Sequence, residues 1–167
     1  MTIEQVNQLR GASSSEFRLI GFLADLGSYM LDSYLIVLCA LETMLQGKST
    51  LKEQSLIEEL HIATIGLQKE GLIGDIQSCL RDTIRTALCS FAEQELVSKQ
   101  NAWNSDGTRE VFYSGKDAEE KQLNAVRESK DRIASILGYD SEKVQRIGAS
   151  LAETLQKSAG KNIRAKL

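Results

Sequence analysis

The most apolar stretch of the chain runs from Glu16 to Gln46 and reads EFRLIGFLADLGSYMLDSYLIVLCALETMLQ. Its large apolar residues recur at steps of three and four, which is the period of an α-helix: Leu19, Phe22, Leu23, Leu26, Met30, Tyr34, Leu38, Leu41 and Leu45. Its polar stripe is narrow, and it contains Asp25 and Asp32, which lie seven residues apart and so share one face. Because a helix that is apolar on most of its circumference needs other elements around it, we predict that this is the central helix of the fold.

Five further helices are predicted from periodicity and from start and stop signals. They span Thr2–Arg10, Leu51–Glu70, Ile76 to about Lys99, Lys116–Leu137, and a last stretch from the cap Asp140 to Gly160. Thr50 and Glu53 have the spacing of a capping box, which predicts where the third helix begins. Gly47, Gly71 and Gly138 are predicted helix stops, and Asp75 is placed to cap or favourably charge the fourth helix.

The helical period disappears between Asn101 and Ser114. Asp106-Gly107 is a strong signal for a two-residue type I′ turn, in which both central residues have positive φ. The residues after it, Thr108 to Tyr113, favour a strand. We predict a short β-hairpin, or at least an ordered loop, with Trp103 on its first arm.

These patterns predict an all-α fold, a helical bundle of about five to six helices with a short β-hairpin or ordered loop near 101–114. We expect one domain over 1–167, in which 1–100 form an apolar helical core, 101–115 the hairpin, 116–160 a polar helical pair and 161–167 a frayed basic tail. The sequence has no proline, as expected of a chain that is helical nearly everywhere.

Charge and composition indicate the cellular location of the protein and the kinds of partner that it can bind. The formal net charge is -3, which argues against binding nucleic acid. The N-terminus lacks the apolar core of a signal peptide, and the three cysteines form no CxxC pair, so we expect a soluble cytoplasmic protein with free thiols, although signal-less secretion would look the same. We expect no stable membrane span, because Asp25 and Asp32 would each cost about 2.5–3.5 kcal/mol near a bilayer centre.

Three short motifs resemble functional sites and are better explained structurally. Gln46 to Thr50 resembles the end of a phosphate-binding loop, but the first glycine is replaced by Glu42 and a helix precedes it. The turn around Gly107 resembles a calcium loop, but its first and last positions are Ala102 and Tyr113, where such a loop needs an acid and a bidentate glutamate. His61 is the only histidine, so it cannot form a paired zinc or acid–base site. We therefore predict a non-enzymatic protein with no catalytic, metal or cofactor site.

Two groups of residues are candidates for binding a protein partner. The first is the apolar stripe of the last helix, because the preceding helix offers few apolar residues to cover it: Val144, Ile147, Leu151 and Leu155. Packing of this stripe on the N-terminal core is the alternative, and we favour it slightly. The second group consists of the hairpin aromatics Trp103, Phe112 and Tyr113, which could face either a partner or the core.

The early apolar helix from Leu26 to Gln46, followed by a charged C-terminal helix, is loosely similar to filament and translocator subunits of bacterial type III secretion systems. The resemblance covers about twenty residues, and it implies a secretion-related subunit, chaperone or effector of a bacterium or phage. Our main functional hypothesis is a helical interaction or assembly protein that binds a protein partner or itself through helix–helix contacts, as in coiled-coil and other structural proteins. An enzyme with a site assembled from scattered residues is the third alternative.

Overall fold

The computed structural model describes residues 15–74 and 80–164, with side chains for 27–74 and 80–157. Over these residues the protein is mainly helical, as predicted, and it contains five helices and a small three-stranded antiparallel sheet. The elements are α1 (Ser15–Gln46), β1 (Thr50–Lys52), α2 (Glu53–Lys69), α3 (Arg81–Glu93), β2 (Ser98–Trp103), β3 (Arg109–Ser114), α4 (Glu120–Leu137) and α5 (Ser141–Arg164). The predicted helix Thr2–Arg10 lies outside the described residues, as do Asp75, Cys79 and the end of the basic tail.

Helix α1 occupies the centre of the core, as its apolar circumference predicts. The side chains from Leu35 to Leu41 are buried without interruption, and α1 packs against α3, α4 and α5. Asp32 is also buried, and its carboxylate accepts a hydrogen bond from the Tyr139 hydroxyl at 2.8 Å. A buried carboxylate needs such a donor. The side chain of Asp25 lies outside the described set.

The sheet has the order β1-β3-β2, with both pairs antiparallel. Strand β1 was not predicted, and the prediction that a helix begins at Leu51 is wrong. Leu51 lies opposite Tyr113 of β3, and the capping box of Thr50 does not form, since α2 begins at Glu53 without a side-chain cap. A pairing partner 62 residues away in the chain has overridden a local capping signal.

Strand β2 replaces the predicted end of the fourth helix. Helix α3 ends at Glu93, the chain turns through Glu95 at φ 59, and the strand begins at Ser98. The turn is closed by a hydrogen bond from the Leu96 amide to the Phe91 carbonyl at 3.0 Å. Leu96 is buried in this turn. Its side chain therefore fits the helical pattern of the sequence, but it packs in the core after the helix has ended.

The two arms of the hairpin are joined by a longer turn than predicted. The loop runs over residues 104–108, and only Gly107 has positive φ, at 80. Asp106 does not have positive φ, so the prediction of a two-residue type I′ turn is wrong. The existence of the hairpin itself is confirmed, and β3 covers Arg109–Ser114.

Helix α4 begins at Glu120 rather than at Lys116, because Glu119 and Gln122 form the capping box that fixes its start. Gly138 ends the helix with φ 71, as predicted. The prediction of Asp140 as the next cap is also confirmed, since its Oδ1 accepts the Lys143 amide at 2.8 Å.

Helix α5 does not end at Gly160, as predicted, but continues to Arg164. A glycine inside a helix costs only about 1 kcal/mol relative to alanine, which a long helix tolerates.

Candidate interaction surface

The three hairpin aromatics have different environments. Trp103 is 72% exposed, Phe112 is partly buried, and Tyr113 is completely buried. Alternation along β3 explains why Phe112 and Tyr113 differ, because consecutive side chains of a strand point to opposite faces. Tyr113 therefore belongs to the core, whereas Trp103 and part of Phe112 are available to a partner.

Strand β2 forms an open edge of the sheet. Among the described strands it pairs with β3 alone, and all six residues from Ser98 to Trp103 are exposed. One side of this strand therefore carries main-chain N–H and C=O groups that no described strand uses. Such an edge is a template for pairing with another extended chain. The open edge was not predicted from the sequence, because the helical pattern before Ser98 led to the start of the strand being assigned to a helix.

Hydrogen bonds fix the tip of the hairpin. The Asn104 amide donates to the Thr108 carbonyl at 2.9 Å, and the Gly107 amide donates to the Asn104 carbonyl at 3.0 Å. Asp106 Oδ1 accepts both the Thr108 amide at 2.9 Å and the Thr108 hydroxyl at 2.6 Å, and these bonds lower the pKa of Asp106 below its ordinary value. Trp103 directly precedes this ordered turn, so its backbone is held in place before binding, which reduces the entropy that binding would cost.

A second set of contacts holds β2 against α3. Lys99 Nζ lies 5.8 Å from the centre of the Tyr113 ring and 3.5 Å from Cys89 Sγ, and Cys89 Sγ lies 3.7 Å from the Tyr113 hydroxyl. Burial, and then the contact with Cys89, raise the pKa of Tyr113 above its ordinary value, so its hydroxyl stays protonated. The Lys99 side chain thus lies back over the core and does not extend across the open edge of β2.

A charged cleft of about 470 Å³ lies between the sheet and the first turns of α2 and α3. Arg81 binds the Glu58 carboxylate through two bonds of 2.9 and 2.8 Å, and Arg85 contacts Glu53 at 3.2 Å. Lys52 and Glu110 form a third pair across the strand ends. The three carboxylates of the lining are thus each paired with a cation, and the fourth lining cation, Arg109, donates hydrogen bonds to Asn101 Oδ1, so the excess in the cleft is a single positive charge.

The predicted partner stripe of the last helix lies in the core of the same chain. Its members are 9% exposed or less: Val144, Ile147, Leu151 and Leu155. Helices α1 and α2 pack against α5 and cover these side chains. This is the core arrangement that we favoured slightly, and a second chain cannot contact these side chains unless α5 first moves away.

The other motifs of the sequence lie in a turn or on helices. Gly47 to Ser49 form the turn between α1 and β1, and His61 is partly buried on α2. Cys39 is buried on α1, and this burial raises the pKa of its thiol to about 12. Within 27–74 and 80–157, no group of three or more histidine, cysteine, aspartate or glutamate side chains is arranged to hold a metal ion.

One segment of α1, Gly27–Gln46, is long and apolar enough to cross a membrane by length and composition alone. In the structure, 61% of its most apolar window is buried inside the protein. The core helix of a soluble protein meets the same criterion, so this segment does not by itself indicate a membrane.

Comparison with known protein families, with curated proteins and with solved structures found no match for this chain.

Proposed function

We propose that this protein is a non-enzymatic interaction or assembly protein, built on a helical bundle, and that its β-hairpin is the surface that binds a protein partner. The observation that carries the proposal is the 72% exposure of Trp103 at the end of an open, fully exposed edge strand. Tryptophan is strongly enriched among the residues that dominate binding energy at protein interfaces.

The main chain of β2 indicates what such a partner presents. An edge strand binds an extended segment through backbone hydrogen bonds, while pockets and exposed side chains beside the strand supply specificity. Here Trp103 lies at one end of the strand and Phe112 on the neighbouring strand. The proposed partner is therefore a protein with an exposed β-strand and a surface that can cover an indole ring.

The proposed contact with a partner lies on the hairpin, whereas the sequence had suggested a contact between helices. The helix–helix contact expected from the sequence relied on the α5 stripe, which is occupied within the chain. Smaller apolar groups remain exposed on helices, including Met30 on α1, Ile62 on α2 and Ile136 on α4. They are scattered singly on three elements, and isolated surface apolar residues are normal.

Photo-cross-linking in the native cells tests the proposal. A photoreactive benzoylphenylalanine at Trp103 is expected to form a discrete covalent adduct with one protein, identified by mass spectrometry. The matched control carries the same group at Arg132, which is exposed on α4. An adduct that forms from position 103 and is absent from position 132 supports the proposal. Equal adduct patterns from both positions, or none from either, would contradict it.

A further inference from the structure

We infer that the partner strand is β2 of a second copy of this chain, so that two three-stranded sheets join into one six-stranded antiparallel sheet. This inference rests on the proposed function of the hairpin, and it adds the identity of the partner and the register of pairing. The pairing is two-fold symmetric, with Asn101 of one copy opposite Asn101 of the other. In this register Gln100 lies opposite Ala102 and Lys99 opposite Trp103 of the second copy.

The side chains on one face of the strand support this register. Within one chain, Lys99 lies opposite Tyr113 and Trp103 opposite Arg109, so these four residues share a face of the sheet. Pairing about Asn101 adds Lys99 of the second copy beside Trp103. The joined sheet then carries a row that alternates cation and aromatic ring: Arg109, Trp103, then Lys99 and Tyr113 of the second copy. Cations bind the faces of aromatic rings, and Lys99 already lies over Tyr113 in the single chain.

Neighbouring registers are less favourable. A two-fold axis at Lys99 would place the two Lys99 residues directly opposite each other, and residues of like charge in that position are destabilising. An axis at Trp103 would pair only the strand ends. An axis at Gln100 gives a similar overlap to one at Asn101, but it places Lys99 opposite Asn101 and separates it from Trp103. The cation–aromatic pairing therefore selects Asn101.

The edge lacks the protection that usually prevents self-pairing. Natural edge strands are often blocked by an outward lysine, a proline or a bulge. The lysine of β2 is held over Tyr113 and Cys89, the strand contains no proline, and its register with β3 is continuous from Ser98 to Trp103. A second copy of β2 can therefore reach the main-chain groups of the open edge.

Disulfide trapping tests the register directly. In a background with Cys79→Ser and Cys89→Ser, which leaves only the buried Cys39, Asn101→Cys should form a covalent dimer under mild oxidation, because directly opposite residues lie within disulfide reach. Gln100→Cys alone and Ala102→Cys alone should cross-link far less, but a mixture of these two variants should cross-link efficiently. Glu128→Cys, on the exposed surface of α4, is the control for random collision.

The outcomes separate this inference from the proposed function. Disulfide trapping of Asn101→Cys, and of the mixture of Gln100→Cys with Ala102→Cys, supports the symmetric dimer. The mixture is needed because Asn101→Cys removes the hydrogen bonds that Arg109 donates to Asn101. Trapping of Gln100→Cys alone would overturn the register. No trapping above the Glu128→Cys level in any variant would overturn the dimer. The proposed function survives that result if the photoreactive group at 103 captures a different protein, and it fails too if nothing is captured.

Discussion

At the scale of single residues, Leu151 shows how burial within the chain decides the role of an apolar stripe. Its side chain on α5 is completely shielded by the rest of the same chain. The sequence could identify the stripe to which it belongs, because the period of apolar residues is visible. The sequence could not say what covers that stripe, because α1 and α2, which pack against α5, are distant along the chain.

Leu151→Asp should therefore lower the melting temperature sharply without producing a folded species of smaller mass. An unpaired carboxylate in the core is strongly unfavourable, and even Leu151→Ala should cost about 2–5 kcal/mol of unfolding free energy. Thermal unfolding followed by circular dichroism, together with sedimentation, measures both quantities. Gln156→Asp, at an exposed position of the same helix, is the matched control and should change little. A folded, helical Leu151→Asp chain with an unchanged melting temperature would show that the stripe is not part of the core.

The hairpin aromatics show the same limit of sequence reasoning. Alternation along a strand establishes that Phe112 and Tyr113 point to opposite faces, but it does not say which face is covered. Tyr113 is the buried one because its face packs against α3, where it contacts Cys89. Trp103 is on the same face as Tyr113 but lies beyond the helices, and this difference depends on the lengths of the helices and strands rather than on local sequence.

At the scale of elements, a charged cluster attaches α4 to α1. Glu42 on α1 accepts hydrogen bonds from Arg127 Nε at 2.8 Å and from Lys130 Nζ at 2.5 Å. Burial alone would raise the pKa of Glu42, but these two cations lower it below its ordinary value of 4.5. Glu42 is thus more acidic in the folded protein than in the unfolded chain. A group of this kind stabilises the fold above its unfolded pKa, and that contribution is lost as the pH falls through the folded pKa.

Glu42→Gln should lower the unfolding free energy at neutral pH by about 1–2 kcal/mol, between the values for exposed and buried ion pairs. The difference from the unmodified protein should shrink as the pH falls below 4.5, since Glu42 is then increasingly protonated. Urea unfolding at several pH values measures this. Glu153→Gln, which removes a fully exposed pair with Lys157, should show no comparable pH-dependent loss. A Glu42→Gln effect that stays constant from pH 7 to pH 3 would contradict the proposed ion-pair role.

The elements that sequence analysis predicted are those with a clear local signal. The start of helix α1 was predicted to within one residue because its apolar period is long and uninterrupted. The end of α4 was predicted correctly because Gly138 adopts the left-handed conformation. Strand β1 was missed because its three residues show no alternation, and among the described strands it pairs with β3, which is distant along the chain. Strand β2 was missed at its start because Leu96 continues an apolar helical pattern while lying in a turn. Pairing over long sequence distances is not encoded in a local period.

At the scale of the whole molecule, the described part of the protein combines a closed core with an exposed edge strand, β2. The core draws buried side chains from the described helices and from β3, and the apolar stripe of α5 is covered within it. The hairpin extends from this core with β2 exposed along its whole length. We expect binding through this edge to leave the helical core unchanged. The resemblance of the Leu26–Gln46 region to type III secretion subunits stays a prediction, since nothing in the core arrangement tests it.

The fluorescence of Trp103, measured together with sedimentation over a concentration series, tests the central claim most directly. Trp103 is the only tryptophan of the chain, so its emission reports on the hairpin alone. The symmetric dimer predicts that the emission moves to shorter wavelength as the protein is concentrated, because the indole passes from water into an interface, and that this shift follows the rise in mass from one chain to two. A mass that stays at one chain, or one that doubles while the emission of Trp103 stays that of an exposed indole, would contradict the account.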